Sequence, residues 1–271
     1  MIKIFIFGMQ RSGTSILSSV LGELPDSYHY PEVGADINSE QFKEGGQTIR
    51  LKSLEEVERI FSEIPKDKKF IVSKPIVESQ NAFKILKHFP ESFGLWCFRH
   101  YKDVIASHTK KWDLPISKEF FKPVLNRSNE NWRSEALSEK SIKIFEDHYR
   151  PDMSIENALA LFWVIRNQLY FSQDLPSLSC IRLVSYERMV SESDYLQNLL
   201  NDVGVPIRIE QREHKFNSGS LQKGDNVVLD ERIDEVCRDM FFRLQNLFIR
   251  NCWRYFTNSF RISYVFKKKK N

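Results

Sequence analysis

The sequence predicts a three-layer α/β/α fold around a central, mostly parallel sheet. Three observations point there. Short apolar runs rich in β-branched and aromatic residues recur at 2–7, 70–72, 93–98 and 180–184. Stretches with helical spacing lie between them, and the runs are apolar throughout rather than alternating with polar residues. Strands buried on both faces read this way, and such burial needs helices on either side of the sheet. With 271 residues, 41% hydrophobic and 28% charged, the chain can bury a sizeable core, and 1–271 reads as a single domain. That mixture excludes a disordered or collagen-like chain. Four widely spaced cysteines (Cys97, Cys180, Cys237 and Cys252), with no CxxC, exclude a disulfide scaffold and favour a reducing compartment.

The first run, Ile2 to Phe7, is a buried strand that enters a loop bounded by Gly8 and Gly13. From Thr14 the positions Ile16, Leu17, Val20 and Leu21 mark a helix, which Leu24-Pro25-Asp26 ends. Phe70-Ile71-Val72 forms the next clear strand and leads into Ser73-Lys74-Pro75, and Gln80 to His88 reads as a helix. Phe93 to Phe98 is a further strand, followed by a helix over 101–111. A long helical pattern from Ile155 to Phe171 precedes the strand 180–184, and helices over 193–203 and 229–248 close the order. Residues 112–154, above all the polar, charge-rich stretch from Pro115 to Arg150, read as an insertion or lid.

Charge is unevenly placed. Residues 250–271 hold seven cations (Arg250, Arg254, Arg261 and Lys267 to Lys270) and no acid, leaving 33 basic against 36 acidic residues elsewhere, a balance of −3. The body therefore carries no nucleic-acid footprint. The basic, aromatic 250–271 tail reads first as a packed C-terminal segment with a solvated Lys267–Lys270 end, and its mixture also suits an anionic membrane surface or an acidic acceptor. No apolar stretch of spanning length occurs and the N-terminal run is too short for a signal-peptide core, so a cytoplasmic protein is expected. The six histidines show no metal-ligand spacing, so no metal is expected. His100 and His108 read as helix-surface residues.

The loop Gly8-Met9-Gln10-Arg11-Ser12-Gly13-Thr14-Ser15 joins a strand to a helix. Its backbone N–H groups and the positive end of the helix dipole make a cradle for phosphate-like oxyanions. The glycine spacing matches GxxxxGK[ST], but Thr14 stands where that pattern has lysine, and the positive charge is Arg11. A second pattern follows the strand ending at Phe98. Arg99 faces the carboxyl edge of the sheet, and Ser107, eight residues on, returns to the same side of the helix. A guanidinium fork with a hydroxyl beside it suits a terminal phosphate.

These two elements, in this order, resemble the 5′-phosphosulfate loop and the Arg-x-Pro-x-Asp-x-x-x-Ser 3′-phosphate motif of the sulfotransferases that use 3′-phosphoadenosine 5′-phosphosulfate (PAPS). Tyr101 stands where that motif has proline. Arginine in the loop is similar to the Golgi and many bacterial members, whereas cytosolic members carry lysine. Val184-Ser185-Tyr186-Glu187 with Met189-Val190, and the run through Leu199-Leu200 to Val203-Gly204-Val205-Pro206, continue the likeness. The resemblance implies the P-loop-type sulfotransferase variant of the α/β fold, with PAPS as sulfuryl donor, 3′-phosphoadenosine 5′-phosphate as product, and no metal requirement.

It also implies roles. Gln10, Arg11, Ser12, Gly13, Thr14 and Ser15 would bind the 5′ end, and Arg99 and Ser107 the 3′-phosphate. Tyr186 would pack on adenine, with Ser220, Lys223 and Gly224 (and Ser218) in a loop returning to the donor. Arg11 would stabilise charge on the departing phosphate, and Lys74 would activate the leaving group. Glu32 would be the general base, with His29 and, more weakly, Asp36 as competitors. The acceptor is open among small molecules, carbohydrates, lipids and peptides. Two other readings stand beside this one: a P-loop kinase, which would need the loop lysine that this chain replaces by Thr14, and a nucleotide-binding module without turnover, for which a base at Glu32 would be superfluous.

Overall fold

The computed structural model describes residues 1–30, 53–111, 118–202, 204 and 221–267, the last with side chains to residue 250. Its centre is a five-stranded, all-parallel sheet: β1 (Ile2–Gly8), β2 (Ser27–Tyr30), β3 (Phe70–Ser73), β4 (Ser92–Phe98) and β5 (Ile181–Ser185), in the order β2-β3-β1-β4-β5. Residues 4 to 8 of β1 are buried without alternation, as expected for a strand covered on both faces. Register runs Ile4 to Val72 on one side and Ile4 to Phe93 on the other.

Helices α1 (Thr14–Gly22), α2 (Leu54–Ser62), α3 (Ala82–His88) and α4 (Tyr101–Lys111) cover the first four strands. The short α5 (Lys122–Leu125) and α6 (Glu139–His148) precede α7 (Ile155–Ser172), in which every residue from Asn157 to Tyr170 is buried. A helix apolar nearly all round must sit inside the core, and Ser154 caps its start by accepting from the Asn157 N–H. Its one buried cation, Arg166, donates to the Trp132 carbonyl at 2.8 Å and the Gln80 side-chain oxygen at 3.1 Å.

The stretch expected to be irregular differs on this point. Phe121, Val124, Trp132 and Phe145 are buried, and Trp132 meets Phe120 and Phe162 edge-to-face, so residues 118–148 are packed onto α7. Its polar residues mask an aromatic set spaced too irregularly to read as one amphipathic helix.

After β5 the chain forms α8 (Tyr186–Ser191), α9 (Tyr195–Asp202) and α10 (Glu231–Lys267). The helix expected to end near residue 248 continues to Lys267, 37 residues in all and about 55 Å long. It packs on α7 and β5 through Ile233, Cys237, Met240, Leu244 and Phe248, a 3–4 spacing that buries one stripe.

Strand order fixes where a ligand can bind. The connection leaving β1 travels toward β2 and β3, whereas the one leaving β4 travels toward β5. The carboxyl ends of the neighbouring strands β1 and β4 therefore open onto a crevice between diverging connections.

Candidate active site

The loop after β1 is shaped by its glycines. Gly8 has φ +124°, and a Cβ there would lie 2.4 Å from the Cys97 carbonyl oxygen of β4. Gly13 has φ +88°, and its Cβ would meet the Tyr186 ring at 2.3 Å. Only glycine allows both the conformation and the close approach. The Ser79 hydroxyl fixes the loop's start, accepting from Gly8 N–H at 3.0 Å and lying 3.1 Å from the Gly8 carbonyl oxygen. Thr14 is buried at the first turn of α1, Ser15 is exposed and Gln10 half-buried. The Ser12 hydroxyl is buried with no hydrogen-bond partner among the described residues, a donor that an anionic oxygen in the cradle would satisfy.

Arg11 takes a left-handed conformation, φ +70°, uncommon for a residue with a Cβ. Its Nε and Nη2 donate to Ser107 Oγ at 2.9 and 2.8 Å, joining the β1 loop to the second turn of α4. Arg99, at the end of β4, donates through Nη1 to the Arg11 carbonyl at 3.3 Å. Its guanidinium lies 4.3 Å from the centroid of the Tyr186 ring. Desolvation, then the Arg99 charge, works against the Arg11 proton, but a guanidinium stays charged at any physiological pH. Two fixed cations, a glycine loop and an aromatic face thus meet at the crevice between β1 and β4.

Arg99 is 4% exposed and needs an anion nearby. Asp103, one turn on, supplies it at 3.5 Å and is itself buried. The Asp103 carboxylate also accepts from the backbone N–H groups of Gln222 at 3.2 Å and Gly224 at 2.8 Å. A Cβ on Gly224 would lie 2.3 Å from the Lys102 backbone, so glycine is what lets this turn close on α4. Lys223 sits exposed in the same turn, beside a cleft of about 580 Å3 lined by His100, Asp103, Glu187 and Gly224 among others. Glu187 accepts from the His100 N–H at 2.7 Å and from the Ser185 hydroxyl at 2.9 Å, holding the ends of β4 and β5 together.

The other side of the loop is formed by the ends of β3 and β2. Lys74, after β3, is 8% exposed and places Nζ 3.4 Å from Ser15 Oγ, which brings its ammonium to the start of α1. His29 lies on β2 with Nε2 2.8 Å from Ser18 Oγ and its ring over Gly22 of α1. Burial of that ring against α1, then the Lys74 charge, lowers its pKa, so it is neutral at pH 7. Its Nε2 is occupied by Ser18, and the ring faces the body of α1 rather than the Arg11 loop.

Of the residues expected from sequence, the structure brings together Gln10, Arg11, Ser12, Gly13, Thr14, Ser15, Lys74, Arg99, Ser107 and Tyr186, with Lys223 and Gly224 on the adjoining turn. Glu32, Asp36, Ser218 and Ser220 lie outside the described residues. Two further participants emerge. Asp103 was visible as the aspartate of the Arg-x-x-x-Asp spacing, but its backbone partners leave no trace in side-chain identity. His108, expected on a surface, is 4% exposed. Burial, with the Arg11 charge behind it, pushes its pKa down to about 4, partly offset by the nearby Gln10 backbone. Neither ring nitrogen reaches a hydrogen-bond partner of ordinary geometry.

No family model and no curated protein matches the chain. Solved structures do. A sulfotransferase domain from the curacin biosynthetic pathway superposes with a TM-score of 0.56 at 13% identity, over 89% of this chain and 96% of that one. A sulfotransferase from Alicyclobacillus acidocaldarius gives a TM-score of 0.49 at 14% identity, covering 93% and 98%. At such identity the curacin-pathway likeness shows the fold alone: this chain has the α/β fold of a sulfotransferase domain.

Proposed function

We propose that this protein is a sulfotransferase that moves a sulfuryl group from PAPS to a hydroxyl or amine of an acceptor. The observation that carries the reading is the convergence of Arg11 and Arg99 on a glycine-bounded loop at the β1/β4 crevice. A kinase of this fold would need a lysine on the transferred phosphate, and Thr14 occupies that position.

In this reading the loop N–H groups, Ser12 and Arg11 bind the 5′-phosphosulfate, Arg99 and Ser107 the 3′-phosphate, and Tyr186 flanks adenine. Glu32 removes the acceptor proton as the acceptor oxygen or nitrogen attacks sulfur and the bond from sulfur to the bridging oxygen breaks. The electron pair of that bond stays on the 5′-phosphate, where Arg11 and the Lys74 ammonium stabilise it. Arg11 acts by charge alone, since its proton is too tightly held to be given up. Ser107 Oγ accepts from Arg11, so the residue read as binding the 3′-phosphate is held by the one read as binding the 5′ end.

Calorimetric binding of 3′-phosphoadenosine 5′-phosphate, run without magnesium beside ADP, tests the reading. Tight binding that requires the 3′-phosphate and weakens about 10²-fold in Arg99→Ala is the expected result. Equal binding of both nucleotides, or binding of ATP only with magnesium, replaces it with the kinase reading.

A further inference from the structure

We infer that the C-terminal half of α10 is a membrane-association surface, which lays the helix on bilayers rich in anionic lipid. Two stripes carry the inference. Phe242 and Ile249, both on α10, are 63% and 48% exposed, large apolar side chains left out of the core. From them the sequence repeats Trp253, Phe256, Phe260 and Tyr264, steps of four, three, four and four along a helix whose backbone is unbroken to Lys267. On the continuous helical backbone these positions fall on one face, away from the positions of Ile233, Cys237, Met240, Leu244 and Phe248 that pack on α7 and β5. Arg250, Arg254 and Arg261 recur at steps of four and seven, about a quarter turn from the aromatic stripe, and Lys267 to Lys270 follow.

An aromatic stripe flanked by cations is what an interfacial helix requires. Aromatic residues settle at the boundary of headgroups and acyl chains while long cationic side chains reach the phosphates. No helix among the described residues is long and apolar enough to cross a membrane, so the stripe fits a helix lying on the surface. Charge complementarity selects the occupant. The last acidic residue of the chain is Asp239, and the seven cations of 250–271 have no acidic neighbour in sequence. A second copy of the chain, packed antiparallel, would offer them only a balance of −2 over residues 231–239. An anionic lipid surface offers charge without limit, and the −3 body would be turned away from it.

The test uses the full-length protein and vesicles of phosphatidylcholine alone or with about one-third phosphatidylglycerol, read by co-sedimentation. Binding to the anionic vesicles only, falling steeply as salt rises from about 0.1 to 0.5 M, is the expected result. Replacing Lys267 to Lys270 by glutamine weakens partitioning by about 10²-fold or more, and Trp253→Ser with Phe256→Ser and Phe260→Ser abolishes it while the body keeps its thermal unfolding curve. The salt series on the unaltered protein needs no variant to fold. Absence of binding, or equal binding to both vesicles, overturns the inference. So does a solution dimer that the aromatic triple variant turns monomeric while vesicle binding is absent, which assigns the face to a second copy. None of these outcomes depends on the sulfotransferase reading.

Discussion

The two sides of the β1 loop are built differently. Toward β4, Arg11, Ser107, Arg99, Asp103 and the 222–224 turn form a continuous chain of contacts, with an ion pair 5% and 6% exposed at its centre. Toward β3 and β2, Lys74 approaches Ser15 at 3.4 Å and His29 leans on α1. A preorganised cation pair suits a ligand that is the same at every turnover, because no reorganisation is then needed when it binds. The side of Lys74 and His29 is the one left for the partner that must enter, react and leave. On the proposed function, donor recognition is invested in the β4 side and proton transfer in the β2 and β3 side.

The largest expected effects break the comparison directly. Arg11→Ala and Glu32→Gln should each lower turnover by about 10²-fold or more, with Glu32→Gln leaving donor affinity unchanged in calorimetry. Near-normal turnover in Glu32→Gln would move the base elsewhere. Next, Asp103→Ala strips Arg99 of its buried partner and leaves the turn N–H groups unsatisfied. It should destabilise the fold by about 3 kcal/mol in urea melts and weaken binding of the 3′-phosphate, whereas an ordinary surface ion pair would cost under about 1 kcal/mol.

His108 sharpens the contrast through pH. Its folded pKa, about 4, lies below the unfolded value of 6.5. The unfolded chain therefore takes up a proton that the native state refuses as pH falls through that interval. Stability contributed above pH 6.5 is lost progressively down to about pH 4, on the order of 3 kcal/mol in total. The difference between the urea stabilities of the native protein and His108→Gln should shrink over that window. A constant difference would mean that His108 titrates normally. The smallest effect is expected at His29→Ala, whose turnover should change by less than about threefold because its Nε2 is engaged by Ser18. A large loss there would make His29 the base.

Much of this was readable in the chain. Four of the five strands fall where the continuous apolar runs place them, because a strand buried on both faces can hold little else. The glycine loop was legible because its positive φ angles and close approaches demand glycine, and Arg99 because it directly follows a continuous apolar strand. What escaped detection has physical reasons. The Asp103 network ends on backbone amides, which any sequence possesses. His108 looked solvent-facing because its own helix is polar around it, and it is the Arg11 loop, 96 residues from Ser107, that comes across to bury it. The extension of α10 to Lys267 was hidden by composition, since aromatic and cationic residues there interrupt the core-facing stripe without interrupting the helix. The proton acceptor expected at Glu32 falls in a segment outside the described residues.

Ser79 binds the two sides into one mechanical piece. It belongs to the turn that follows Lys74-Pro75, yet its hydroxyl accepts from the N–H of Gly8, at the start of the glycine loop, and shares its one proton between the carbonyls of Ile76 at 2.8 Å and Gly8 at 3.1 Å. A displacement of the lysine is therefore transmitted to the loop through this oxygen as well as through the β1–β3 ladder and the Lys74–Ser15 contact. Lys74 and the cradle should move as one body, and opening or closing of the crevice must be carried by other segments.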